Sequence, residues 1–360
     1  MVFDYSWLIG GPQGSGVDTA ANIFSRVGTK LGYHVFGKRE YHSNIKGLHS
    51  YFVVRLSDNK IRSNVNGANI MVAFDAETMI RHGLSISKNG AIIYDSSIVN
   101  TSIDEISTIE ADHRVRLHEF FKSKNMEPKV SSIIELAKES GVNVYPISFW
   151  DALSNIADEL KRPELSRMTR MFNVLGVSFS LGVLKAPIAP LLESIEEIFS
   201  TKPTIADLNK KAANFAYNYA SAKFSGFNAS LNETDKEPNI MLVQGHQGSA
   251  LGKMVCGCRF QSYYPITPAS DESEFLETHE ILQVKEDRPG STTIVQTEDE
   301  ISAIGMAVGA SLTGTRSATS TSGPGFSLMA ETLGWAGINE VPVVISLFQR
   351  SGPSTGLPTR

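Results

Sequence analysis

Among the acidic side chains, Glu300 has the most telling setting. It follows the apolar stretch Thr292–Gln296 and opens a run rich in small residues, with Ala303, Gly305, Ala307, Gly309 and Ala310 within a few turns. Small residues on a helix let other groups approach and exclude water. A carboxyl kept from water favours its protonated form, so Glu300 suits the sharing of a proton with a heterocyclic nitrogen. The plainer reading is a carboxylate at the mouth of a helix, where the dipole favours negative charge.

Three turns carry complementary groups. In Tyr263-Tyr264-Pro265-Ile266-Thr267-Pro268-Ala269-Ser270 the paired prolines restrict the backbone, so Ile266 and Thr267 are presented rigidly at the end of a strand. Ser320-Thr321-Ser322-Gly323-Pro324-Gly325 forms a second ligand-facing turn between a strand and a helix. Arg350 opens the last turn, where a guanidinium can hold a carboxylate through two parallel hydrogen bonds. A surface arginine is the alternative there.

Near the N-terminus, Gly10-Gly11-Pro12-Gln13-Gly14-Ser15-Gly16-Val17-Asp18-Thr19 lies between an apolar strand and an amphipathic helix. Gly11, Gly14 and Gly16 allow close approach of the backbone, and the amides of a helix start attract an anion. The order is G-x-x-G-x-G, the reverse of the dinucleotide fingerprint, and a Walker lysine is absent. An anion-binding loop and a tight structural turn are both open. The stretch Tyr41–Ser50 adds His42, Lys46 and His49 after the second strand, without a Cys, Asp or Glu at metal-ligand spacing, so no metal site is expected.

The elements that must position these residues are legible from the hydrophobic pattern. Strands are expected at Ser6–Gly10, His34–Gly37, Ser50–Leu56, Ile70–Phe74, Ala91–Asp95 and Val142–Ile147, with helices at Val17–Leu31 and Ile133–Ser140. That rhythm predicts an α/β domain with a largely parallel sheet. After about residue 150 apolar groups recur every three or four positions, a helical continuation. The polar segment 225–239 reads as a linker. A second α/β pattern follows, with strands at Ile240–Gln244, Phe260–Tyr264, Thr292–Gln296, Ser317–Thr321 and Val341–Phe348, and helices at Ala250–Gly257, Glu300–Leu312 and Ser327–Ile338. The last residues follow a strand with only a loop, so the second domain is expected to be incomplete, a piece of a longer subunit.

Composition narrows the function. The 360 residues are 41% hydrophobic and 20% charged, an ordinary globular balance that accommodates roughly two to three domains. No apolar run approaches the ~20 residues that span a bilayer, and the start shows no cleavable signal pattern. A cytoplasmic protein without a membrane partner is expected. Lys and Arg number 33 against 38 Asp and Glu, with no basic block, which excludes nucleic acid as the main partner. The only cysteines, Cys256 and Cys258, cannot supply the four thiolates that an iron–sulfur cluster usually takes, nor a disulfide framework. Both are expected to be small buried hydrophobes.

The residues Gly257–Ser270, the Glu300 junction, Thr321–Gly325 and the run RSGPSTGLPT at 350–359 together resemble the pyrimidine-binding domain of thiamine diphosphate enzymes. More specifically, they resemble the alpha subunit of 2-oxoacid:ferredoxin oxidoreductases of archaeal type (the pyruvate and 2-oxoglutarate ferredoxin oxidoreductase family). The N-terminal glycine-loop block is similar to the gamma domain fused in front of alpha in such proteins. The resemblance implies two α/β domains: a Rossmann-like gamma domain over 1–224, the linker 225–239, and an incomplete pyrimidine-binding domain over 240–360.

It further implies a CoA-dependent oxidative decarboxylation of a 2-oxoacid, pyruvate or 2-oxoglutarate, to acyl-CoA and CO2, with electrons passed to ferredoxin. Glu300 is then the catalytic group on the cofactor's aminopyrimidine. Thr267 and Arg350 hold the substrate carboxylate, and Tyr264, Pro265, Ile266, Ser322 and Gly323 line the cofactor. Gly11, Gly14 and Gly16 are a possible loop for an anion or coenzyme A. In this family the diphosphate, its Mg2+ and the [4Fe-4S] cluster belong to a separate beta subunit, in keeping with the absence of a G-D-G…N motif here. Departures are Gly245-His246-Gln247-Gly248 where the family reads G-N-E-A, Ser351 where it has glycine, and a family sequence that continues well past Thr359. A non-redox thiamine diphosphate decarboxylase or synthase is disfavoured, because those enzymes carry the diphosphate domain in the same chain. A non-catalytic assembly or binding subunit is the reading from another class.

Overall fold

A computed structural model describes residues 3–12, 14–40, 49–164, 168–285 and 288–349. The chain divides into two compact units, Met1–Leu242 and Val243–Arg360. In the first, β1 (Asp4–Gly11) is buried from Ser6 onward. Helix α1 (Val17–Lys30) lays Ala20, Ile23, Phe24 and Val27 on the sheet. The Trp7 indole stacks on Phe24 with ring centroids 4.4 Å apart, and its Nε1 donates to Ser180 Oγ at 2.9 Å. A buried indole N–H is thereby satisfied, which lets the largest side chain sit at the centre of the core.

The sheet adds β2 (His34–Glu40), β3 (Ser50–Ser57), β4 (Ala68–Ala73), β5 (Ile86–Asp95) and β6 (Asn143–Ile147), in the order β2-β3-β1-β4-β5-β6. The sheet is largely parallel, as expected, with one reversed strand. Strands β4, β5 and β6 run parallel with β1, but β3 is antiparallel to both β1 and β2. Residues 41–49 between β2 and β3 are too few for a crossover, which takes a dozen or more residues, so the chain has to return antiparallel.

Helices α2 (Ala76–His82), α3 (Ala111–Ser123) and α4 (Val130–Glu139) cover one face, with Met79, Phe121 and Ile133 meeting Met71 and Ile92. The expected helical continuation forms α5 (Phe149–Glu159), α6 (Phe172–Val183), α7 (Ala189–Ile198) and α8 (Pro203–Lys223). Helix α6 is buried at every position from Asn173 to Val183. It packs closely on α8, where Ala212, Ala213, Ala216 and Ala220 are buried and a Cβ on Gly182 would lie 2.6 Å from the Tyr217 carbonyl oxygen. Residues 225–239 contain neither helix nor strand. Phe227 and Leu231 from this stretch are buried in the same core, and the backbone N–H groups of Leu231 and Thr234 donate to Leu184 and Leu31.

The second unit contains α9 (Gly245–Val255), β7 (Phe260–Tyr263), α10 (Ser270–Glu277), the antiparallel pair β8 (Ile281–Lys285) and β9 (Arg288–Ser291), then β10 (Thr293–Gln296), α11 (Glu300–Leu312), β11 (Ser317–Thr321), α12 (Gly323–Ile338) and β12 (Val344–Leu347). Its main sheet has the order β10-β7-β11-β12, parallel throughout. The strand expected at Ile240–Gln244 does not form. Ile240, Met241, Leu242 and Val243 are 41–74% exposed, and no strand pairs with them among the described residues. The chain turns instead into α9, which starts earlier than the pattern indicated because Gln244 and Gln247 form a reciprocal capping box. Helix α12 likewise starts at Gly323 rather than Ser327, with Pro324 in its first turn.

Of the two cysteines, Cys258 is buried as expected and Cys256 is exposed. Cys256 caps the C-terminus of α9 just before Gly257, which adopts φ +83, so its position is set by the helix ending rather than by the core. Among the described residues no helix is long and apolar enough to cross a membrane.

Candidate active site

The parallel sheet of the second unit gathers the expected site residues along one edge. In register Gln296 pairs with Tyr263, Tyr263 with Ser320, and Thr321 with Leu347, so the turns that follow β10, β7, β11 and β12 emerge side by side. This is the carboxyl edge of an open α/β sheet, where ligands bind.

Glu300 follows the outermost strand, β10, and reaches the turn after β11. It is 6% exposed, and its carboxylate makes no hydrogen bond or ion pair among the described residues. The cap of α11 is made by its neighbour: Asp299 Oδ1 accepts from Ser302 N at 2.6 Å, and this backbone hydrogen bond holds the Asp299 carboxyl below its usual range. Glu300 is the acidic residue of the first turn of α11, as the plainer reading has it, while the capping hydrogen bond is made by Asp299. Glu300 packs instead on the start of α12. A Cβ on Gly325 would lie 2.7 Å from Glu300 Oε1 and 2.7 Å from its Cγ, and would overlap Thr321 Oγ1. The Glu300 oxygens are not among the fully buried atoms without a partner, so the carboxylate stays open at this edge.

Ser322, at the N-cap of α12, is fully buried, and its hydroxyl has no hydrogen-bond partner among the described residues. Gly323 is half-buried beside it. In the turn after β7, Tyr264 is 37% exposed, Pro265 and Thr267 are exposed and Ile266 is half-buried. The Thr267–Pro268 peptide is cis. The turn is tied down from below: Thr297 donates to the Tyr263 carbonyl through its N–H (2.9 Å) and its hydroxyl (3.2 Å), and Ser270 N donates to Ile266 O at 3.0 Å. Tyr263 Oη donates to Glu277 at 2.8 Å, and burial with this carboxylate pushes the phenol up to about 12, so it stays a donor. Phe348 N donates to Thr321 O at 2.9 Å, which carries the chain past β12 toward Arg350. Arg350 and the run to 359 lie outside the described residues, as do His42 and Lys46.

In the first unit the glycine loop forms a cavity of about 180 Å3 at the start of α1. Pockets for whole drug-sized ligands run to ~300–1,000 Å3, so this one fits a group rather than a molecule. Gly14 and Gly16 adopt φ +87 and +84, and Gly16 is the N-cap of α1. The hydroxyls of Ser15 and Ser50, both lining the cavity, are buried with no hydrogen-bond partner among the described residues. Arg39 crosses the mouth and pairs with Asp18 at 2.6 Å. Gly11 ends β1 with its Cα face against Phe74 and Ser15.

The fold also assembles what linear spacing separates: ligand atoms of His49, Asp75 and Glu77 lie within 4.8 Å of one another. These carboxylates already have protein partners. Asp75 caps α2 by accepting from Thr78 N at 2.9 Å, and Glu77 pairs with Arg81 at 2.7 Å and accepts from the Thr108 hydroxyl. No metal site is assigned there. Gly325 and Thr321, which shape the space around Glu300, were not among the expected site residues, although the G-P-G spacing marks the place.

Comparisons with known proteins follow the same division. Residues 6–219 match the family described as "Pyruvate ferredoxin/flavodoxin oxidoreductase", and residues 251–360 match "Pyruvate flavodoxin/ferredoxin oxidoreductase, thiamine diP-bdg". The alpha subunit of 2-oxoacid:ferredoxin oxidoreductase 1 from Sulfurisphaera tokodaii is 42% identical over 360 residues, covering 99% of this chain and 56% of the relative. The KorA subunit of 2-oxoglutarate synthase from Methanothermobacter thermautotrophicus is 46% identical over 117 residues, 32% of this chain and 29% of the relative. Among solved structures, the 2-oxoglutarate:ferredoxin oxidoreductase from Magnetococcus marinus, with 2-oxoglutarate, coenzyme A and succinyl-CoA bound, superposes with a TM-score of 0.68 at 26% identity, covering 99% of this chain and 54% of that one. The chain spans about half the length of the relatives it matches from end to end.

Proposed function

This chain belongs to the pyruvate ferredoxin/flavodoxin oxidoreductase family, and on that premise we propose that it is the fused gamma–alpha part of a 2-oxoacid:ferredoxin oxidoreductase. The reaction is the decarboxylation of a 2-oxoacid, pyruvate or 2-oxoglutarate, with transfer of the acyl group to coenzyme A, release of CO2 and passage of two electrons singly to ferredoxin. The observation that carries this reading is Glu300: a buried carboxylate with no protein partner among the described residues, held against Gly325 while Asp299 does the capping.

The residues fit an aminopyrimidine. Glu300 offers an acceptor for a ring nitrogen, Ser322 a buried hydroxyl in want of a partner, and Gly325 a surface without a side chain. Thiamine diphosphate, when bound, supplies an electron sink for the charge left as CO2 departs. Glu300 holds the proton shared with the ring nitrogen and so sets the cofactor's acid–base state. Tyr264, Pro265, Ile266 and Gly323 shape the wall and exclude water. Thr267 Oγ1, exposed at the strand end, donates to the substrate carboxylate, and Arg350 pairs with it. In the first unit, Gly11, Gly14 and Gly16 with the Ser15 and Ser50 hydroxyls hold a phosphate group of coenzyme A at the start of α1.

In the second unit Ile301, Met306 and Leu312 on α11 and Phe326, Trp335 and Ile338 on α12 are 37–86% exposed. The reading assigns the diphosphate site, its Mg2+ and the [4Fe-4S] cluster to a separate beta subunit, and the assembled enzyme to the cytoplasm. The test is CoA-dependent reduction of methyl viologen, with pyruvate and with 2-oxoglutarate, by the full subunit coexpressed with its beta partner. Activity that Glu300→Gln lowers by about a hundredfold or more in an intact complex supports the reading. A complex loaded with thiamine diphosphate and cluster that reduces no dye with any 2-oxoacid overturns it in favour of an assembly subunit.

A further inference from the structure

The second unit contains a buried polar cluster that the reaction above does not use. Glu272, in the first turn of α10, is completely buried, and its Oε2 lies 2.5 Å from Nζ of Lys253 on α9, whose side chain is only 9% exposed. Glu272 Oε1 accepts from the hydroxyls of Ser249 (2.5 Å) and Ser346 on β12 (3.3 Å). Lys253 also donates to Gln261 Oε1 on β7 at 2.8 Å, and Gln261 Nε2 donates to Ser273 Oγ at 2.7 Å. Ser273 Oγ is 3.0 Å from Ser320 Oγ on β11, which reaches the Ala269 carbonyl at 3.4 Å.

Lys253 and Ser249 lie on α9, and each of the groups they engage sits near the root of a ligand-facing turn. Gln261 lies on the strand that delivers the turn 264–269, and Glu272 and Ser273 lie on the helix that leaves it. Ser320 precedes the turn at Ser322, and Ser346 precedes the stretch that leads to Arg350. A buried ion pair is a poor source of stability, because desolvation offsets the attraction and apolar side chains of similar volume often serve as well or better. Burial in fact holds the Lys253 ammonium below its ordinary range, even with Glu272 beside it. What a fully satisfied pair supplies is direction, since only one arrangement meets every hydrogen bond.

We propose that Lys253 and Glu272 are a positioning pair, which fixes the turns at 264–269 and 321–325 in the relative placement that turnover needs. The role rests on the functional reading above. Neither side chain touches substrate. They act through the strand ends and the first turn of α10, where a displacement of about 1 Å can lower turnover about a hundredfold.

The test uses the full subunit in complex with its beta partner, carrying Lys253→Met/Glu272→Gln. This double variant removes both charges and keeps an amide for Ser249 and Ser346. Turnover is expressed per bound thiamine diphosphate, so loss of folded protein does not enter. We expect turnover per loaded site to fall about tenfold or more and KM for the 2-oxoacid to rise about threefold or more. The thermal midpoint should stay within about 3 °C. Hydrogen–deuterium exchange across 262–272 and 319–323 should quicken about tenfold. A midpoint that falls while turnover per site and KM stay within about twofold marks a stabilising pair only and overturns the proposal. Unchanged exchange in both turns overturns it equally. Should the double variant not assemble, Ser273→Ala, which cuts the link from Gln261 to Ser320, is judged by the same exchange criterion. A parent complex silent with every 2-oxoacid sinks the functional reading, while exchange still decides the positioning.

Discussion

Glu300 and Gly325 are in contact at a distance that leaves no room for a side chain: a Cβ at 325 would stand 2.7 Å from Glu300 Oε1. The glycine sits in the first turn of α12, and its conformation is ordinary for a helix, so close approach rather than backbone freedom explains it. Gly325→Ala should therefore push the Glu300 carboxylate away from its position while leaving helix propensity improved. The expected outcome is a loss of about a hundredfold in turnover, together with a lowered thermal midpoint, because the added methyl also overlaps the buried Thr321 hydroxyl. Dye reduction per bound cofactor, together with the midpoint, checks it. Wild-type turnover in the variant would mean that Glu300 is not held where the chemistry needs it.

The strand-to-helix junction that carries Glu300 was legible in the sequence because its signal is local, a strand followed by a carboxylate and a run of small residues. The turn that holds Gly325 was legible too, but its contact with Glu300 was not, because the two lie 25 residues apart and meet only when α11 and α12 pack on one another. The four apolar residues at 240–243 satisfied the pattern of a strand, yet a strand exists only by pairing, and no neighbour is present among the described residues. The reversal at β3 was available from the short spacing between His34–Glu40 and Ser50–Ser57, which admits no crossover. The buried pair Lys253–Glu272 joins residues 19 positions apart on different helices, a distance over which sequence spacing carries no geometry.

Gly16 is constrained in both conformation and space. It holds φ +84, and a Cβ there would lie 2.5 Å from Asn173 Nδ2. Gly16→Ala places an L side chain in the left-handed region, which costs about 1–2 kcal/mol, and displaces Asn173 as well. If the loop holds a phosphate of coenzyme A, KM for coenzyme A should rise about tenfold while KM for the 2-oxoacid stays within about twofold. Equal rises in both constants would place the loop outside the coenzyme site.

The stability of the first unit should depend on His82. Its ring lies 3.1 Å from Nε2 of His49 and packs on Tyr51 with centroids 4.4 Å apart. Burial, and then the neighbouring Arg81 guanidinium, lower its pKa to about 4. Asp75 and Glu77 stand nearby on the start of the same helix, where Thr78 and Arg81 engage them. Because the folded value lies below the unfolded one, near 6.5, the unfolded chain binds more protons between these values. The contribution is fully present above about pH 6.5 and is lost as pH falls toward 4, on the order of 3 kcal/mol in all. Thermal midpoints measured from pH 7.5 down to 4.5 should fall more steeply for the parent than for His82→Asn, which cannot take up the proton. Parallel curves for the two proteins would mean that protonating His82 does not weigh on the fold.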